Sequence, residues 1–294
     1  SIRWLADPGR EVSITYRDLW DGAQQIAAGL RAYGLLHGQA AALMLPTGKD
    51  YFEAFFGSLL AGCVPTPVYP PFRRTQIEDH LRRQAGILRN AEAPILITTP
   101  ETRLSARVIR ALAADLRHVV TMDDLRVDGE AARPSLAGGD VALLQYTSGS
   151  TGDPKGVVLT HANLLANIRA IGRVLRATPD DVVVSWLPLY HDMGLIGTWL
   201  GSLYHACPFV VMSPLQFIAR PERWLWTIHR YRGTLSAGPN FGYDICTRKI
   251  ADTRLEGLDL SSWRMAGNGA EAISASTIRD FCDCLLYTSP SPRD

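Results

Sequence analysis

The amino-acid sequence predicts an α/β fold in which sheets are buried between helices. The main observation is an alternation of helical patterns with short apolar runs, such as AALML at 41–45 and FVVM at 209–212. Such uninterrupted apolar runs are typical of strands covered on both faces. The chain has 294 residues, of which 47% are hydrophobic and 20% charged, and this is enough to bury a large core.

The first half of the chain begins with an amphipathic helix. Thr15 is its predicted N-cap, and Asp18 favours the first turn through the helix dipole. Gly34 suits the left-handed conformation in which helices commonly end. The later elements predicted in this half are a helix from Lys49, an extended segment at 65–71, helices at 77–89 and 103–114, and the strands PILITT and HVVTM.

The second half repeats this rhythm around two polar connections. VALLQY at 141–146 is a predicted strand, and a Gly/Ser/Thr loop separates it from the strand GVVLT. Thr160 is the predicted cap of the next helix. The weakly patterned stretch 126–140 is the predicted internal loop. DVVVSWLPL, FVVM and TLSA are the remaining predicted strands of the alternation.

Composition and charge exclude several classes of protein. The net charge of +1 gives no indication of a nucleic-acid partner. Five scattered cysteines, an odd number, favour a reduced cytoplasmic protein over a disulfide scaffold. We expect no membrane span, because no apolar stretch reaches about 18 residues, and no secretory signal. We also expect no metal site made of clustered protein ligands.

The most informative segment is YTSGSTGDPKG, at 146–156. Its glycines let backbone N–H groups approach an anion, its hydroxyl groups add donors, and Lys155 adds a positive charge. It is not a Walker loop, because a β-branched strand follows where a helix is required. The alternative is a flexible surface connection. The residues of the predicted phosphate site are Thr147, Ser148, Gly149, Ser150, Thr151, Gly152 and Lys155.

This string resembles the ATP-phosphate loop of the AMP-forming acyl-activating superfamily, which includes acyl-CoA synthetases, luciferases and peptide-synthetase adenylation domains. The resemblance continues in WLPLYHDMGLIG at 186–197, which is similar to the acyl-site motif of fatty acyl-AMP ligases. The PVYPP segment and the Gln145-Tyr146 step also fit that branch. The implied fold is the large N-terminal domain of the AMP-forming ligase fold, with stacked αβαβα sheets, truncated and without its C-terminal domain.

The resemblance implies roles for residues in the later motifs. His191 would lie near the reacting carboxylate and the α-phosphate, and His191 and Lys155 are the predicted catalytic residues. The alternative for His191 is a core residue, which is the more common role of a lone His on an apolar face. SAGPNFGYDIC at 236–246 would line the acyl pocket, although an aromatic core is an equal alternative for Tyr243. SWRMAGNGAE at 262–271 would hold adenine; taken alone, NGAE is weak evidence. The predicted substrate-binding residues are Trp186, His191, Asp192, Met193, Asn240, Phe241 and Tyr243, and the predicted adenine site is Gly269, Ala270 and Glu271.

The implied reaction is attack of a fatty carboxylate on the α-phosphorus of ATP, which releases pyrophosphate and leaves acyl-AMP. ATP and Mg²⁺ are the implied cofactors. The acyl group would pass to an acyl carrier protein or to a polyketide or peptide synthetase module. One alternative is a long-chain acyl-CoA synthetase, with CoA as acceptor, and another is a non-catalytic nucleotide or acyl binding module. Acyl chain length and oligomeric state stay open.

The end of the chain departs from the family. We expect residues 1–282 to form a partial N-terminal adenylation domain and 283–294 to be a non-family tail, a read-through or adapter-like artefact. A natural disordered terminus is the alternative. Further expected motifs, the branch-specific insertion and the C-terminal lysine domain lie outside this sequence, so we expect little turnover from the chain.

Overall fold

The computed structural model describes residues 1–7, 9–70, 77–129, 134–147 and 155–286. The chain forms two compact units. The first unit comprises Ser1–Ile14 and Ile168–Asp294, and the second unit comprises Thr15–Asn167. The stretch 1–282 contains residues of both units, and its first 14 residues belong with its second half. That it forms a partial N-terminal adenylation domain stays a prediction.

The first unit is built on a six-stranded sheet with the order β12-β11-β9-β10-β1-β2. Five strands are parallel, and only the edge strand β2 is antiparallel to its neighbour. The strands are β1 (Ile2–Asp7), β2 (Arg10–Ile14), β9 (Val183–Ser185), β10 (Phe209–Met212), β11 (Leu235–Gly238) and β12 (Met265–Asn268).

Helices connect the parallel strands of this unit, as the predicted alternation requires. They pack an aromatic core that includes Trp186, Phe217, Trp224 and Tyr243, all buried. An eight-residue π-helix, Met193–Leu200, follows β9. The α-helices that begin in this unit are α7 (Gly201–Tyr204), α8 (Pro214–Ala219), α9 (Glu222–Tyr231), α10 (Asn240–Lys249) and α11 (Ala275–Leu286).

The second unit contains a four-stranded parallel sheet with the order β4-β3-β5-β6 and a separate antiparallel hairpin, β7–β8. Buried apolar side chains fill its strands, as the uninterrupted apolar runs predicted. The strands are β3 (Ala40–Met44), β4 (Val64–Pro67), β5 (Ile95–Thr98), β6 (His118–Val120), β7 (Val141–Thr147) and β8 (Lys155–Thr160). The helices are α1 (Tyr16–Ala32), α2 (Lys49–Leu60), α3 (Ile77–Asn90), α4 (Arg103–Leu112), α5 (Met122–Leu125) and α6 (His161–Leu175). The last of these, α6, begins in the second unit and ends in the first.

Helix starts predicted from capping residues are confirmed. The Thr15 hydroxyl accepts a hydrogen bond from the Asp18 N–H at 3.0 Å, and the Asp18 carboxylate accepts one from the Thr15 N–H at 2.9 Å. The Thr160 hydroxyl likewise accepts from the N–H of Asn163 at 3.1 Å. At the other end of α1, Gly34 has a φ of 78°, in the left-handed region.

Three features were not predicted. The hairpin β1–β2 was missed because β1 pairs with β10, which is about 200 residues away in the sequence. The pattern of residues within 1–14 does not indicate a pairing with so distant a strand. The short helix α5 and the π-helix were also missed. The expected boundary at 282/283 falls inside α11, which continues to Leu286, while residues 287–294 lie outside the described residues.

None of the helices in the described parts of the chain combines the length and the apolar character needed to cross a membrane.

Candidate functional site

Three neighbouring parallel strands carry the predicted acyl and adenine residues of the first unit. The segment from Trp186 to Asp192 follows β9, Asn240 and Phe241 follow β11, and the loop 269–271 follows β12. Because β9, β11 and β12 are parallel neighbours, their carboxyl ends meet at one edge of the sheet. This edge is where open α/β sheets bind ligands.

His191 and Asp192 form a pair at the start of the π-helix. His191 Nδ1 lies 2.7 Å from Asp192 Oδ1, and that oxygen also accepts a hydrogen bond from the Met193 N–H at 2.7 Å. The His191 side chain is 52% exposed, so the core alternative for this residue does not hold. With Nδ1 donating to Asp192, Nε2 of the imidazole is left available for a ligand.

The same pair shifts two pKa values. The hydrogen bond to Asp192 raises the pKa of the His191 imidazole, and this outweighs the opposing effect of partial burial. The reciprocal hydrogen bond lowers the pKa of the Asp192 carboxyl. A protonated His191 is therefore favoured over a wider pH range than an ordinary histidine, which suits contact with an anion.

A contact between two hydroxyl groups joins the π-helix that follows to β9. The Thr198 hydroxyl donates to the Gly194 carbonyl oxygen at 2.6 Å and lies 3.3 Å from the Ser185 hydroxyl. Single π-helical turns are rare and concentrate at functional sites. Met193, predicted in the acyl site, is half-buried at the first turn and packs against the aromatic core.

Trp186 and Tyr243 lie in the aromatic core. Trp186 is 2% exposed and stacks on Phe217 with ring centroids 3.8 Å apart. Tyr243 is 1% exposed and donates its hydroxyl hydrogen to the Gly267 carbonyl oxygen at 2.7 Å. Burial raises the pKa of the Tyr243 phenol, so it stays neutral as a donor. The core alternative fits Tyr243, and the substrate-binding role of both residues stays a prediction.

Asn240 and Phe241 begin α10 and face the adenine loop. The Asn240 side-chain oxygen accepts from the Ser274 N–H at 3.0 Å. The Glu271 carboxylate accepts from the Phe241 N–H at 2.6 Å, which satisfies one of the free donors at the start of α10. Phe241 itself is 41% exposed. The structure thus brings the predicted acyl helix and adenine loop together.

The adenine loop has an unusual backbone. Ala270 has a φ of 68°, a conformation that is uncommon for a residue with a side chain. Gly269 donates its N–H to the Gly238 carbonyl oxygen at 3.4 Å, which keeps the loop beside β11. Backbone groups of such a loop can contact a purine without contribution from its side chains.

Two residues of the predicted phosphate site lie in the second unit, at the ends of the hairpin β7–β8. Thr147 and Lys155 are paired across the strands, and both are exposed. Lys155 begins a strand rather than a helix, which confirms that the loop is not of the Walker type. The intervening predicted residues, Ser148, Gly149, Ser150, Thr151 and Gly152, lie outside the described residues.

Two contributors at the sheet edge were not found from the sequence. Phe217 stacks on Trp186 from α8, and Asn268, at the end of β12, donates to the Asn240 side-chain oxygen at 3.4 Å. Phe217 lies in an ordinary helix about 30 residues after Trp186, so no local signal indicates it. Asn268 stands inside the NGAE string, and its position directly after an apolar strand could have indicated it.

The described part of the chain contains no group of three or more His, Cys, Asp or Glu side chains that could hold a metal ion. Mg²⁺ in nucleotide enzymes is usually bound by phosphate oxygens and waters with one or two carboxylates. The described residues are therefore compatible with Mg²⁺ only if phosphate and water supply most of its ligands.

Comparison with known proteins identifies the family. A model of the family described as AMP-binding enzyme matches residues 3–287. The chain belongs to the AMP-binding enzyme family. Its relatives include the medium-chain-fatty-acid–[acyl-carrier-protein] ligase JamA of Moorena producens, which is 36% identical over 95% of this chain and 48% of JamA.

Solved structures agree with this assignment. A fatty acyl-adenylate ligase, described in a study of the enzymes of E. coli and L. pneumophila, matches with a TM-score of 0.93 at 33% identity, over 99% of this chain and 53% of that one. The L. pneumophila ligase in complex with acyl adenylate and pyrophosphate matches with a TM-score of 0.88 at 34% identity, over 99% and 50%. The predicted AMP-forming ligase fold and fatty acyl-AMP ligase branch are confirmed.

The chain spans about half the length of the curated relatives it matches. The activity, substrates and partners of the whole protein are therefore matters for proposal.

Proposed function

We propose that this protein activates a fatty acid with ATP, forming acyl-AMP and pyrophosphate, and that the acyl group is then transferred to an acyl carrier protein. The observation that carries the proposal is the arrangement of the HDMG, PNF and NGAE segments after three neighbouring parallel strands. The similarity to JamA supports a fatty acid and a carrier protein as the reaction partners. A cytoplasmic location is part of the same proposal.

Both reactants are anions, so the residues must neutralise charge and align the carboxylate with the α-phosphorus. Lys155 is assigned to the β- and γ-phosphates, with Thr147 and the glycine-rich residues between them as donors. Mg²⁺, brought with ATP, supplies charge neutralisation of the pyrophosphate leaving group when bound.

The first unit supplies the remaining roles. His191, whose pKa is raised by the hydrogen bond to Asp192, is assigned to donate from Nε2 to an oxygen of the carboxylate or the α-phosphate. The backbone of 269–271 is assigned to adenine. The half-buried Met193, with Asn240 and the exposed Phe241, is assigned to the beginning of the acyl chain.

The test is an assay of the complete reading frame with ATP and fatty acids of graded length. ATP–pyrophosphate exchange measures activation, and mass spectrometry measures acyl transfer to holo-acyl carrier protein and to CoA in parallel. We expect exchange that depends on fatty acid, with transfer to the carrier protein. Transfer to CoA alone would assign the protein to the acyl-CoA synthetases. Binding of acyl-AMP without ATP–pyrophosphate exchange would indicate a non-catalytic binding module.

A further inference from the structure

One cavity of the first unit contains none of the residues assigned above. It has a volume of about 220 Å³ and lies where the hairpin β1–β2 and the carboxyl end of β10 meet α8 and α9. Leu5 and Met212, which are paired across β1 and β10, form part of its wall. Its volume is below the range of roughly 300–1,000 Å³ typical of sites for drug-sized ligands, so it suits a small ion or molecule.

The charged lining of this cavity is unbalanced. Arg10, Arg223 and Arg230 line it, and Glu11 is the one acidic residue among the described residues that do so. Arg223 and Arg230 are seven residues apart on α9, so they lie two turns apart on the same face. Like charges that share a cavity repel one another unless an anion separates them.

Glu11 is already engaged by other groups. Its Oε2 accepts a hydrogen bond from the Tyr231 hydroxyl at 2.6 Å, and its Oε1 accepts one from Arg3 at 2.8 Å. Among the acidic side chains that the structure describes, which do not include that of Asp7, none forms an ion pair with Arg10, Arg223 or Arg230. Among the described residues that line the cavity, the arginines thus outnumber the acidic residues three to one.

Two other residues of the lining, Gln216 on α8 and Trp226 on α9, are held in place by hydrogen bonds. Gln216 donates from Nε2 to the Ala6 carbonyl oxygen at 2.6 Å and accepts from the Ser213 N–H at 3.2 Å. Trp226 donates its indole N–H to the Arg254 carbonyl oxygen at 2.9 Å. A wall that is held in place before a ligand arrives lowers the entropic cost of binding.

We propose that this cavity is a binding site for a small, multiply charged phosphate-bearing anion, held by Arg10, Arg223 and Arg230. A guanidinium group matches phosphate in planar, bidentate geometry, and three arginines that line one cavity favour a multiply charged oxoanion over a carboxylate. The proposal does not depend on the proposed ligase activity, because it uses none of the same side chains.

The experiment is calorimetric titration of the 294-residue chain with pyrophosphate at low ionic strength, without Mg²⁺. Four proteins are compared: the wild type, Arg223→Gln/Arg230→Gln, Lys155→Met, and the control Arg248→Gln/Arg279→Gln, which removes the same charge from two exposed arginines outside the cavity. Circular dichroism checks that each variant is folded. Acetate serves as the monoanion comparator, and inorganic phosphate and glycerol 3-phosphate as alternative sources of the phosphate group.

We expect a pyrophosphate-binding event that weakens at least tenfold in Arg223→Gln/Arg230→Gln and persists in Lys155→Met and in the control. A separate event lost only in Lys155→Met would belong to the proposed ATP site, so the two assignments succeed or fail independently. The proposal is overturned by the absence of any event sensitive to Arg223 and Arg230, by an equal loss in the control, or by equal affinity for acetate. Tighter binding of pyrophosphate or of glycerol 3-phosphate would identify the ligand as a diphosphate or a monoester.

Discussion

At the scale of single residues, the contact between His191 and Asp192 decides the chemistry available at the sheet edge. The hydrogen bond fixes which imidazole nitrogen points to Asp192 and raises the pKa of the ring. Because the folded pKa is above the unfolded value of about 6.5, this contact stabilises the fold below that pH. The contribution disappears as the pH rises through the raised pKa.

Asp192→Asn should lower the pKa of His191, because the variant amide removes both the charge and the charge-assisted hydrogen bond. The measurement is an NMR titration of the imidazole signals, with the His191 signal assigned by its absence in His191→Gln. Asp280→Asn, a change of an exposed carboxylate elsewhere in the first unit, is the control and should leave the titration unchanged. An unchanged His191 titration in Asp192→Asn would show that the pair does not form.

Gly242 lies against the ring of Trp186. A Cβ added at this position would stand 2.7 Å from Cζ2 of Trp186, which is held between Phe217 and its other neighbours. We therefore expect Gly242→Ala to destabilise the fold by about 1–3 kcal/mol, the usual range for overpacking. Urea unfolding measures it, with Gly86→Ala, a helical glycine with open space beside it, as the control. Equal stability of the two variants would contradict the packing described for Trp186.

The same residues show how far sequence reasoning reaches at this scale. The motifs identified the segments that lie at the sheet edge, including Asn240, Phe241 and Glu271. They did not distinguish side chains that face the sheet edge from side chains that face the core. Trp186 and Tyr243 belong to the second group, because both are buried in the core. Which face a side chain takes depends on packing against α8 and α9, and these helices are distant in sequence.

At the scale of elements, Asp181 connects the amino ends of the three strands whose carboxyl ends carry the candidate site. Its carboxylate accepts two hydrogen bonds from Arg264, at 2.8 and 2.7 Å, and one from the Thr234 hydroxyl at 2.7 Å. Arg264, Thr234 and Asp181 come just before β12, β11 and β9. The hydrogen bond from Arg264 is the main cause that lowers the pKa of Asp181 to about 2.

Asp181→Asn should destabilise the fold by about 1–3 kcal/mol, because it removes a charge-assisted, bidentate interaction with Arg264. In the wild type the contribution is present above the unfolded pKa of about 3.9 and is lost as the pH falls towards the folded value of about 2. Urea unfolding at pH 7 and at pH 3 measures both effects. A difference between variant and wild type that does not shrink at pH 3 would contradict the role of the ionised carboxylate.

Elements with a strong local pattern were predicted well, and those that depend on distant partners were not. The helix α1 and the strands β3 and β5 carry capping residues or uninterrupted apolar runs, and the structure confirms them. The strand β1 exists because β10 offers a parallel edge. The π-helix contains Thr198, whose hydroxyl contacts Gly194 and Ser185, and no periodicity of the sequence indicates these contacts.

At the scale of the whole molecule, the family and the fold follow from the order of the motifs along the chain. Each motif is short, but their order and spacing restrict the fold far more than any one of them. The division into two compact units could not be predicted, because residues 1–14 belong with residues 168–294 through pairing of β1 with β10. The chain matches about half the length of its relatives, so the activation chemistry is best tested first as binding.

The most direct test of the account is calorimetric binding of a non-hydrolysable medium-chain acyl-AMP analogue to the 294-residue chain, compared with AMP and with the free fatty acid. We expect the analogue to bind at least tenfold more tightly than either part, because it unites the adenine and acyl contacts. His191→Ala should weaken that binding, whereas the control His37→Ala, an exposed histidine of the second unit, should not. Analogue affinity no higher than that of AMP, or an unchanged affinity in His191→Ala, would contradict the assignment of this sheet edge to the acyl-adenylate.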